Sequence, residues 1–288
     1  MDDIAAKKVK ISSTGLLAFS LLRRCRVIWY NGGVFEKLKK HSFLFEELVK
    51  RDFKKKYKRT ILGMGWSVLM PLLTLLVMKV VFEQFFGRNM QHYTTYLFCG
   101  NLLFCWFSEA TNAGMRSLYG NAAIFTKVNV PKYLFLFSGS IQTLINFLLT
   151  LCVFFVFCAL DHVTFTWRFA MLAYPVLTLL VFNMGIGLIL SALYMFFRDL
   201  DYLWGVFLQL LMYGSAIFYT IEKMPAKAKL VFAFNPVYRH IAYFREIVLS
   251  GSVPSLETHL TLCGFAIVAF AIGAWMYRHY NTRFLYYV

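Results

Sequence analysis

The polar residues that come closest to a catalytic arrangement are four side chains in one short stretch, Arg239, His240, Arg245 and Glu246. A histidine beside a carboxylate can move a proton, and arginines can bind an anionic group. All four fall on the polar side of a short amphipathic helix pattern. A His–Glu pair in that setting is more often structural than catalytic, so we assign these residues no catalytic role.

The full sequence also lacks the motifs by which common catalytic and metal sites are recognised. It contains no GxxxxGK[ST], no HExxH and no GxSxG. The six His are scattered at positions 41, 92, 162, 240, 259 and 279, and none of the six Cys belongs to a CxxC motif. We therefore predict that the chain is not an enzyme and that it binds no metal and no cofactor of its own.

The composition indicates a membrane protein. Of the 288 residues, 59% are hydrophobic, and 31 Phe and 17 Tyr are present. The mean hydropathy is +0.60. This is too apolar for one soluble core, and the aromatic residues suit lipid-facing and interfacial surfaces. We predict an all-α polytopic membrane protein.

A dense cationic cluster precedes the first apolar stretch. Seven of the ten residues at 50–59 are Lys or Arg, and Trp66 then opens a mostly apolar run. About twenty residues of helix rise roughly 30 Å, the thickness of the bilayer core. Cations that stop at a Trp-marked interface are typical of a cytoplasmic anchor on anionic lipid. A nucleic-acid arm fits poorly because no soluble domain follows, so we expect membrane lipids and no nucleic acid as partners.

Six apolar stretches are predicted to be transmembrane helices, at residues 66–86, 93–113, 133–160, 169–197, 202–221 and 260–277. With both ends inside, the cytoplasmic segments hold 22 of the 30 Lys/Arg and the exterior segments hold 7. The positive-inside rule then places both termini in the cytoplasm. The chain divides into a basic cytoplasmic tail (1–33), an amphipathic interfacial helix with its cationic anchor (34–65), a six-helix domain (66–278) and a cytoplasmic tail (279–288).

The interfacial helix is predicted from its two faces. Phe43, Leu44, Leu48 and Val49 recur on one face, and charged residues occupy the other. Such a helix lies along the cytoplasmic interface of the membrane. Packing on a soluble partner would give the same pattern, and the two interpretations are compatible.

Two short amphipathic stretches, 225–234 and 236–249, meet at Asn235 and Pro236. The first is too short to cross a bilayer, and the second is also too charged. We predict re-entrant half-helices between the fifth and sixth spans, which need protein or water to cover the broken backbone. A plain extracellular loop is the alternative.

Lys79 and Glu83 lie four residues apart inside the first predicted span, on one face of the helix. Charged residues at membrane depth usually pair or face a polar cavity. The two residues therefore either line a polar path or pair with each other, with Lys79 extending toward the outer surface.

Four segments resemble sequence motifs of one known family and occur in the same order as in that family. They are RDFKKKYKRTILGMGWSVLMPLL, NAAIFTKVNVPKYLF, FFRDLDYL before the fifth span and FNPVYRHIAYFREIVLSGSVP before the sixth. Together they resemble the permeases of the ABC-2 type, and more narrowly the Wzm-like polysaccharide exporters and the teichoic-acid permeases. The resemblance extends over residues 43–278 and says nothing about residues 1–35.

The resemblance implies a homodimer served by two copies of a separate ATPase, which would bind the ATP and Mg²⁺. Residues 121–131 would form the coupling helix that fits a groove of the ATPase, and the helix at 43–53 would be the family's interfacial or gating helix. The coupling residues assigned in this way are Asn121, Ile124, Phe125, Lys127 and Pro131.

The resemblance also implies a channel at the dimer interface, lined by the first and fifth spans and closed by the half-helices. The channel residues are Lys79, Glu83, Phe85, Phe86, Tyr213, Phe218 and Tyr219, and those of the half-helices are Asn235, Pro236, Arg239 and Arg245. Flat rings suit sugar faces, although aromatic residues at such depths are more often ordinary interfacial ones.

The cytoplasmic entrance is assigned to Arg51, Lys55, Arg59 and Trp66. The cations there would either receive the pyrophosphate of a polyprenyl-linked substrate or anchor lipid headgroups.

The expected function is export across the bacterial cytoplasmic (inner) membrane, powered by the ATPase subunit. The cargo would be a lipid-linked surface polysaccharide such as an O-antigen, which belongs to lipopolysaccharide biosynthesis, or a polyol phosphate such as a teichoic acid. Two alternatives stay open. One is a membrane-embedded enzyme that acts on lipid-linked sugars, and the other is an ABC-2 permease for a small drug or lipid.

Overall fold

The computed structural model describes residues 42–57, 65–87, 92–128, 130–221, 224–281, 283–285 and 287. The chain divides into two compact units, residues 1–47 and 48–288. In the first unit the described residues are 42–47, which begin one helix. The packing described below belongs to the second unit.

All regular structure in the described residues is helical. The α-helices are α1 (Ser42–Tyr57), α2 (Gly65–Phe82), α3 (Tyr93–Ser117), α4 (Ala122–Phe125), α5 (Tyr133–Leu160), α6 (Ala173–Phe196), α7 (Leu200–Tyr213), α8 (Ala226–Phe234), α9 (Pro236–Arg245) and α10 (Leu256–Tyr280). Short 3₁₀ turns lie at Tyr119–Asn121, Trp167–Leu172 and Arg283–Leu285. Single π-helical turns extend α2 over Glu83–Gly87 and α9 over Glu246–Ser250.

Four helical segments within these residues are long and apolar enough to cross a bilayer, namely Val68–Phe85, Tyr133–Leu160, Trp167–Phe196 and Leu256–Tyr280. They correspond to the predicted first, third, fourth and sixth spans. The predicted second span is α3, which has 25 residues but carries polar side chains such as Asn101 and Glu109. The predicted fifth span is α7, which is apolar but has only 14 residues, or about 21 Å of helix. The chain is thus helical with several apolar spans, and a count of six stays a prediction.

Helix α6 lies at the centre of the bundle, where it packs along α10 and α3, and α3 packs in turn on α5. Close approach to α10 depends on small residues. A Cβ atom at Gly185 would lie 2.5 Å from backbone atoms of Ala269 and Phe270, and one at Gly273 would lie 2.7 Å from Gly185 O. Near-contact of two backbones through glycine is typical of membrane helices.

Helices α2 and α7 differ from this centre because most of their surface is uncovered. Only 11% of the apolar stretch Val68–Phe85, which covers α2 and the start of its π-helical turn, is buried, and Leu208 is the buried residue of α7. In a membrane these faces contact lipid or a second chain.

The junction of α8 and α9 has a clear local cause. Asn235 Oδ1 accepts hydrogen bonds from the amides of Val237 at 3.0 Å and Tyr238 at 3.1 Å. Pro236 occupies the first helical position, where it has no amide to leave unpaired. The predicted break at Asn235 and Pro236 is therefore present, whereas insertion of these helices into the outer leaflet stays a prediction.

Candidate functional site

A cleft of about 640 Å³ lies between α1, the end of α3 and the start of α5. We call it the arginine cleft. Its polar lining residues include Arg51, Asp52, Arg116, Asn121 and Gln142, and its aromatic lining residues are Tyr119, Phe135 and Tyr194.

Arg51 joins α1 to the first residue of the predicted coupling segment. Its Nη2 donates to Asn121 Oδ1 at 2.7 Å, and Asn121 Nδ2 donates to the carbonyl of Ser117 at 2.7 Å. On the other side, Asp52 Oδ1 accepts from Arg51 Nε at 3.0 Å, and Asp52 Oδ2 accepts from Ser138 Oγ at 3.0 Å. One chain of hydrogen bonds therefore connects α1, α3, α5 and the coupling segment.

A second ion pair joins Arg116 in the wall of the cleft to Asp201 of α7. The carboxylate of Asp201 accepts two hydrogen bonds from Arg116 Nη2, at 2.8 and 2.9 Å. Arg198 lies over the ring of Tyr119, with Cζ 4.4 Å from the ring centroid. The arginines are therefore already partnered, so the cleft is polar and nearly balanced in charge.

The coupling segment (residues 121–131) is less helical than the sequence predicts. Helix α4 covers only Ala122–Phe125, because Thr126 Oγ1 bonds back to the Ala122 carbonyl at 2.8 Å and Pro131 follows. Phe125 is 5% exposed and packs on Phe135, with ring centroids 6.3 Å apart.

The other predicted coupling residues differ in exposure. Lys127 is exposed, whereas Ile124 and Pro131 are half-buried. The side chain of Lys127 thus faces solvent, whereas Phe125 packs against α5.

The opposite end of α3 contacts a different structure, which we call the capped turn (residues 214–219). It follows α7, and Ala216 within it has a φ of 50°, a value that non-glycine residues rarely adopt. The carbonyl oxygens of residues 214, 216, 217, 218 and 219 each accept a hydrogen bond from a side chain outside the turn. The donors are Asn235, Arg245, Tyr93 and Tyr96.

Arg245 is the main donor to the capped turn, and it is 7% exposed. Its Nη1 donates to Ala216 O at 2.8 Å, its Nη2 to Ile217 O at 2.9 Å and its Nε to Tyr96 O at 3.2 Å. The guanidinium also stacks on the ring of Tyr96, 3.4 Å from the centroid. Its charge is thus met by carbonyl dipoles and a ring.

The four residues that come closest to a catalytic arrangement do not form one. His240 is buried and contacts Pro236 O at 2.7 Å and Thr178 Oγ1 at 3.2 Å. Glu246 accepts instead from Ser252 at 3.2 Å. Arg239 Nε donates to the carbonyl of Ala233 at 3.1 Å. Within the described residues, no three His, Cys, Asp or Glu side chains could hold a metal ion.

The predicted channel residues fall into different environments. Lys79 Nζ lies 4.0 Å from Glu83 Oε1, and both side chains are about half exposed. The side chain of Phe86 lies outside the described residues, and Phe85 is 76% exposed.

On the other predicted channel helix, Tyr213 is 52% exposed and Phe218 is only 3% exposed. Phe218 stacks on Phe82 of α2, with centroids 4.3 Å apart. Tyr219 is half-buried and donates to the Tyr213 carbonyl at 2.6 Å. Among Tyr213, Phe218 and Tyr219, Tyr213 thus has the side chain that is exposed to a ligand.

Of the predicted entrance residues, Arg51 lies in the arginine cleft. Trp66 is 43% exposed at the start of α2. Arg59 and the side chain of Lys55 lie outside the described residues.

Several residues that bond within the arginine cleft or to the capped turn were not predicted from the sequence. Asp52 directly follows Arg51, and an adjacent acid was a usable signal for a paired arginine. Tyr93 and Tyr96 lie three residues apart on one face of α3, where two hydroxyl groups can act together. Ser138 carries no such local signal.

The sequence of the chain was compared with known protein families and with characterised proteins. Residues 44–249 match the family model of the ABC-2 type transporter. The chain is 26% identical over 250 residues to an O-antigen export system permease protein RfbA of Klebsiella pneumoniae, a match that covers 84% of this chain and 95% of the relative. For the protein of that name from Myxococcus xanthus the identity is 27% over 228 residues, covering 78% and 87%.

A third relative is the polysialic acid transport protein KpsM of Escherichia coli, 24% identical over 237 residues, which cover 81% of this chain and 92% of the relative. The family match takes in α1 from its third residue, the arginine cleft, the capped turn, and α9 with all but the last residue of its π-helical turn. The chain therefore belongs to the ABC-2 type transporter family, as a multi-pass membrane permease and not an enzyme.

Proposed function

We propose that the chain is the permease of an ATP-driven exporter that moves a lipid-linked surface polysaccharide across the bacterial inner membrane. The observation that carries the proposal is the match with relatives named for O-antigen export and polysialic acid transport over most of both chains. None of the relatives described above is named for a teichoic acid, so a polysaccharide is preferred to a polyol phosphate.

The energy comes from a separate ATPase chain. The full sequence has no GxxxxGK[ST] motif with which to bind ATP. The ABC-2 family implies an ATPase partner. We further propose two copies of each chain, in a homodimer of permeases with one ATPase beneath each.

The coupling segment is the proposed contact with that ATPase. Lys127 and Val128 are exposed on it, and Asn121 is bonded to Arg51 of α1 at 2.7 Å. A push on the segment would therefore reach α1 directly. This bond supports α1 as the gating helix and the arginine cleft as the cytoplasmic side of the transport path.

The uncovered faces of α2 and α7 support a channel between two protomers. The exposed apolar residues of α2 include Met70, Leu73, Leu76 and Val80, and those of α7 include Leu203, Val206 and Leu210. Phe85 and Tyr213, which are also exposed, are the rings we assign to sugar contacts in that channel.

The first experiment tests the function. A strain that lacks the chain is compared with its parent for surface polysaccharide and for lipid-linked polysaccharide inside the cell. We expect loss from the surface and accumulation inside. If the lipid-linked polymer is no longer made, the enzyme alternative is correct, and if both pools are unchanged, the proposal is wrong.

The same strain, expressing variants of the chain, tests the hydrogen bond between Arg51 and Asn121. Arg51→Gln should reduce surface polysaccharide several-fold at an unchanged membrane level of the permease, because the link to Asn121 is lost. Lys54→Gln is the matched control, since it removes one charge from an exposed position of α1. Equal export by the two variants would count against the coupling role of the cleft.

A further inference from the structure

A single lysine connects the coupling segment to the residues that follow α10. Lys132 Nζ lies 5.6 Å from the ring centroid of Phe125 and 5.5 Å from that of Phe284. The same ammonium donates a hydrogen bond to the carbonyl of Asn281. Two segments that are 149 residues apart in sequence therefore meet at one cation.

Among the described residues after α10, Phe284 is buried, whereas Asn281, Arg283 and Tyr287 are exposed. We call Asn281, Arg283–Leu285 and Tyr287 the α10 extension. Phe284 is fully buried. Its ring lies 5.6 Å from that of Tyr277 in α10 and 6.1 Å from that of Phe196 in α6. The extension is thus fixed to α6 and α10, the helices that pack together most extensively.

The coupling segment needs such support because it cannot hold its own shape. Helix α4 has four residues, well below the roughly twelve at which an isolated helix becomes marginally stable. Its upstream end is held by the bond between Arg51 and Asn121. The end of α4 is held where Phe125 contacts Phe135 and Lys132.

We propose that the α10 extension is a positioning element of the ATPase-coupling face and that Lys132 is its point of attachment. Through Lys132, the extension holds Phe125, at the end of α4, to α6 and α10. A displacement imposed by the ATPase then moves these helices as well as α1. This inference rests on the proposed function for its coupling role, although the attachment itself is independent of cargo.

The environment of Lys132 favours an attachment over a surface charge. Lys132 is half-buried, and burial lowers the pKa of its ammonium below the ordinary value. A partly desolvated cation interacts more strongly with aromatic rings than one in water. The two rings and the carbonyl replace the water that the ammonium has lost.

Positioning is tested first, on the purified full-length permease in lipid nanodiscs, by hydrogen exchange of residues 122–128. Lys132→Met removes the cation, and Phe284→Leu keeps apolar bulk but removes the ring. Both should speed exchange roughly tenfold, because the segment opens more often. Lys132→Arg keeps a cation that can lie over both rings and should exchange like wild type.

Arg283→Ala is the matched control, because Arg283 lies in the same extension but stacks on Tyr280. It should leave the exchange unchanged. Wild-type exchange in both Lys132→Met and Phe284→Leu would overturn the attachment. If Phe284→Leu lowers the yield of folded protein because Phe284 is fully buried, Lys132→Met, made at a half-buried position, keeps the test valid.

Coupling is tested second, as polysaccharide exported per ATP hydrolysed by the complex with the ATPase that copurifies. Lys132→Met and Phe284→Leu should lower this ratio several-fold while hydrolysis continues, and Lys132→Arg should restore it. Faster exchange with an unchanged ratio would overturn the coupling role. A wild-type complex that hydrolyses ATP without exporting polysaccharide would instead contradict the proposed function, and the exchange result would still decide the attachment.

Discussion

The capped turn and the arginine cleft lie at opposite ends of α3, and they hold their arginines in contrasting ways. In the capped turn, Arg245 is buried and bonds to the carbonyls of Tyr96, Ala216 and Ile217. In the cleft, the side chain of Arg51 is 38% exposed and that of Arg116 is 61% exposed, and each pairs with a carboxylate.

The difference in solvent contact decides how easily each region can rearrange. Water can replace the partners of an exposed ion pair at little cost, so such pairs contribute little to stability. A buried guanidinium that loses its carbonyls finds no replacement, and the carbonyls are left unpaired as well. The capped turn is therefore rigid, and the arginine cleft can change its contacts during a transport cycle.

The largest expected effect comes from breaking the rigid region. Arg245→Met should destabilise the protein by about 3–5 kcal/mol, because buried carbonyls lose their donors. Arg245→Lys keeps the charge but loses the planar guanidinium and its stacking on Tyr96. The stability of this variant should therefore lie between that of Arg245→Met and that of the wild type. Thermal unfolding of the permease in detergent measures the order. An Arg245→Met protein that melts at the wild-type temperature would show that the turn does not depend on this residue.

The second-largest effect on stability is expected when the same substitution, glycine to alanine, is made once in each region. A Cβ atom at Gly100 would lie 2.7 Å from Arg245 Nη2 and 3.2 Å from Ile217 Cγ2, whereas one at Gly139 in the wall of the cleft meets nothing within 4 Å. Gly100→Ala should therefore cost about 1–3 kcal/mol through overpacking. Gly139→Ala should be neutral or stabilising by up to about 1 kcal/mol, because alanine favours the helix.

The same unfolding measurement decides this comparison. Equal melting temperatures for the two alanine variants would mean that the region around Arg245 can move aside as readily as the cleft. The contrast in rigidity between the two regions would then be lost.

Much of the helical arrangement was predictable from the sequence, because long apolar runs and small-residue spacing are local signals. In the sequence, Gly187 and Ser191 lie four residues apart, a spacing of small residues that favours close packing of helices. In the structure, a Cβ atom at Gly187 would lie 3.3 Å from Gly114 Cα, and Ser191 Oγ lies 2.6 Å from Tyr277 Oη.

The end of α7 was not predictable in this way. The apolar run continues through Ala216, Ile217 and Phe218, so the predicted span extends to residue 221, whereas the helix ends at Tyr213. The carbonyls of the turn are capped by Tyr93 and Tyr96, which are more than 120 residues away in sequence. The hydrophobicity of neighbouring residues therefore cannot predict hydrogen-bond donors that lie so far away in the sequence.

The candidate site shows the same limit. Asn121 was assigned a role through resemblance to a family and Arg51 as one of the cations before Trp66, but their hydrogen bond spans 70 residues. Neither residue has a local pattern that names its partner. The sequence therefore indicated which segments matter, and only the fold shows that α1 and the coupling segment are bonded to each other.

The smallest expected effect concerns the exposed ion pair of the cleft. Arg116 and Asp201 form a bidentate contact at 2.8–2.9 Å, yet the arginine side chain is 61% exposed. Solvent and salt screen such a pair, so Arg116→Gln should cost less than about 1 kcal/mol of stability. The loss should shrink further at high ionic strength, where the charges are screened.

Export decides what this pair does, because stability alone cannot. The pair joins the end of α3 to the start of α7, the helix proposed to line the channel. If the cleft rearranges during transport, Arg116→Gln and Asp201→Asn should each change the export rate by more than their small stability cost would produce. The double variant should then resemble either single one, since both remove the same contact. Export at the wild-type rate in all three variants would mean that the pair is passive, and the moving part of the cleft would be confined to the contact between Arg51 and Asn121.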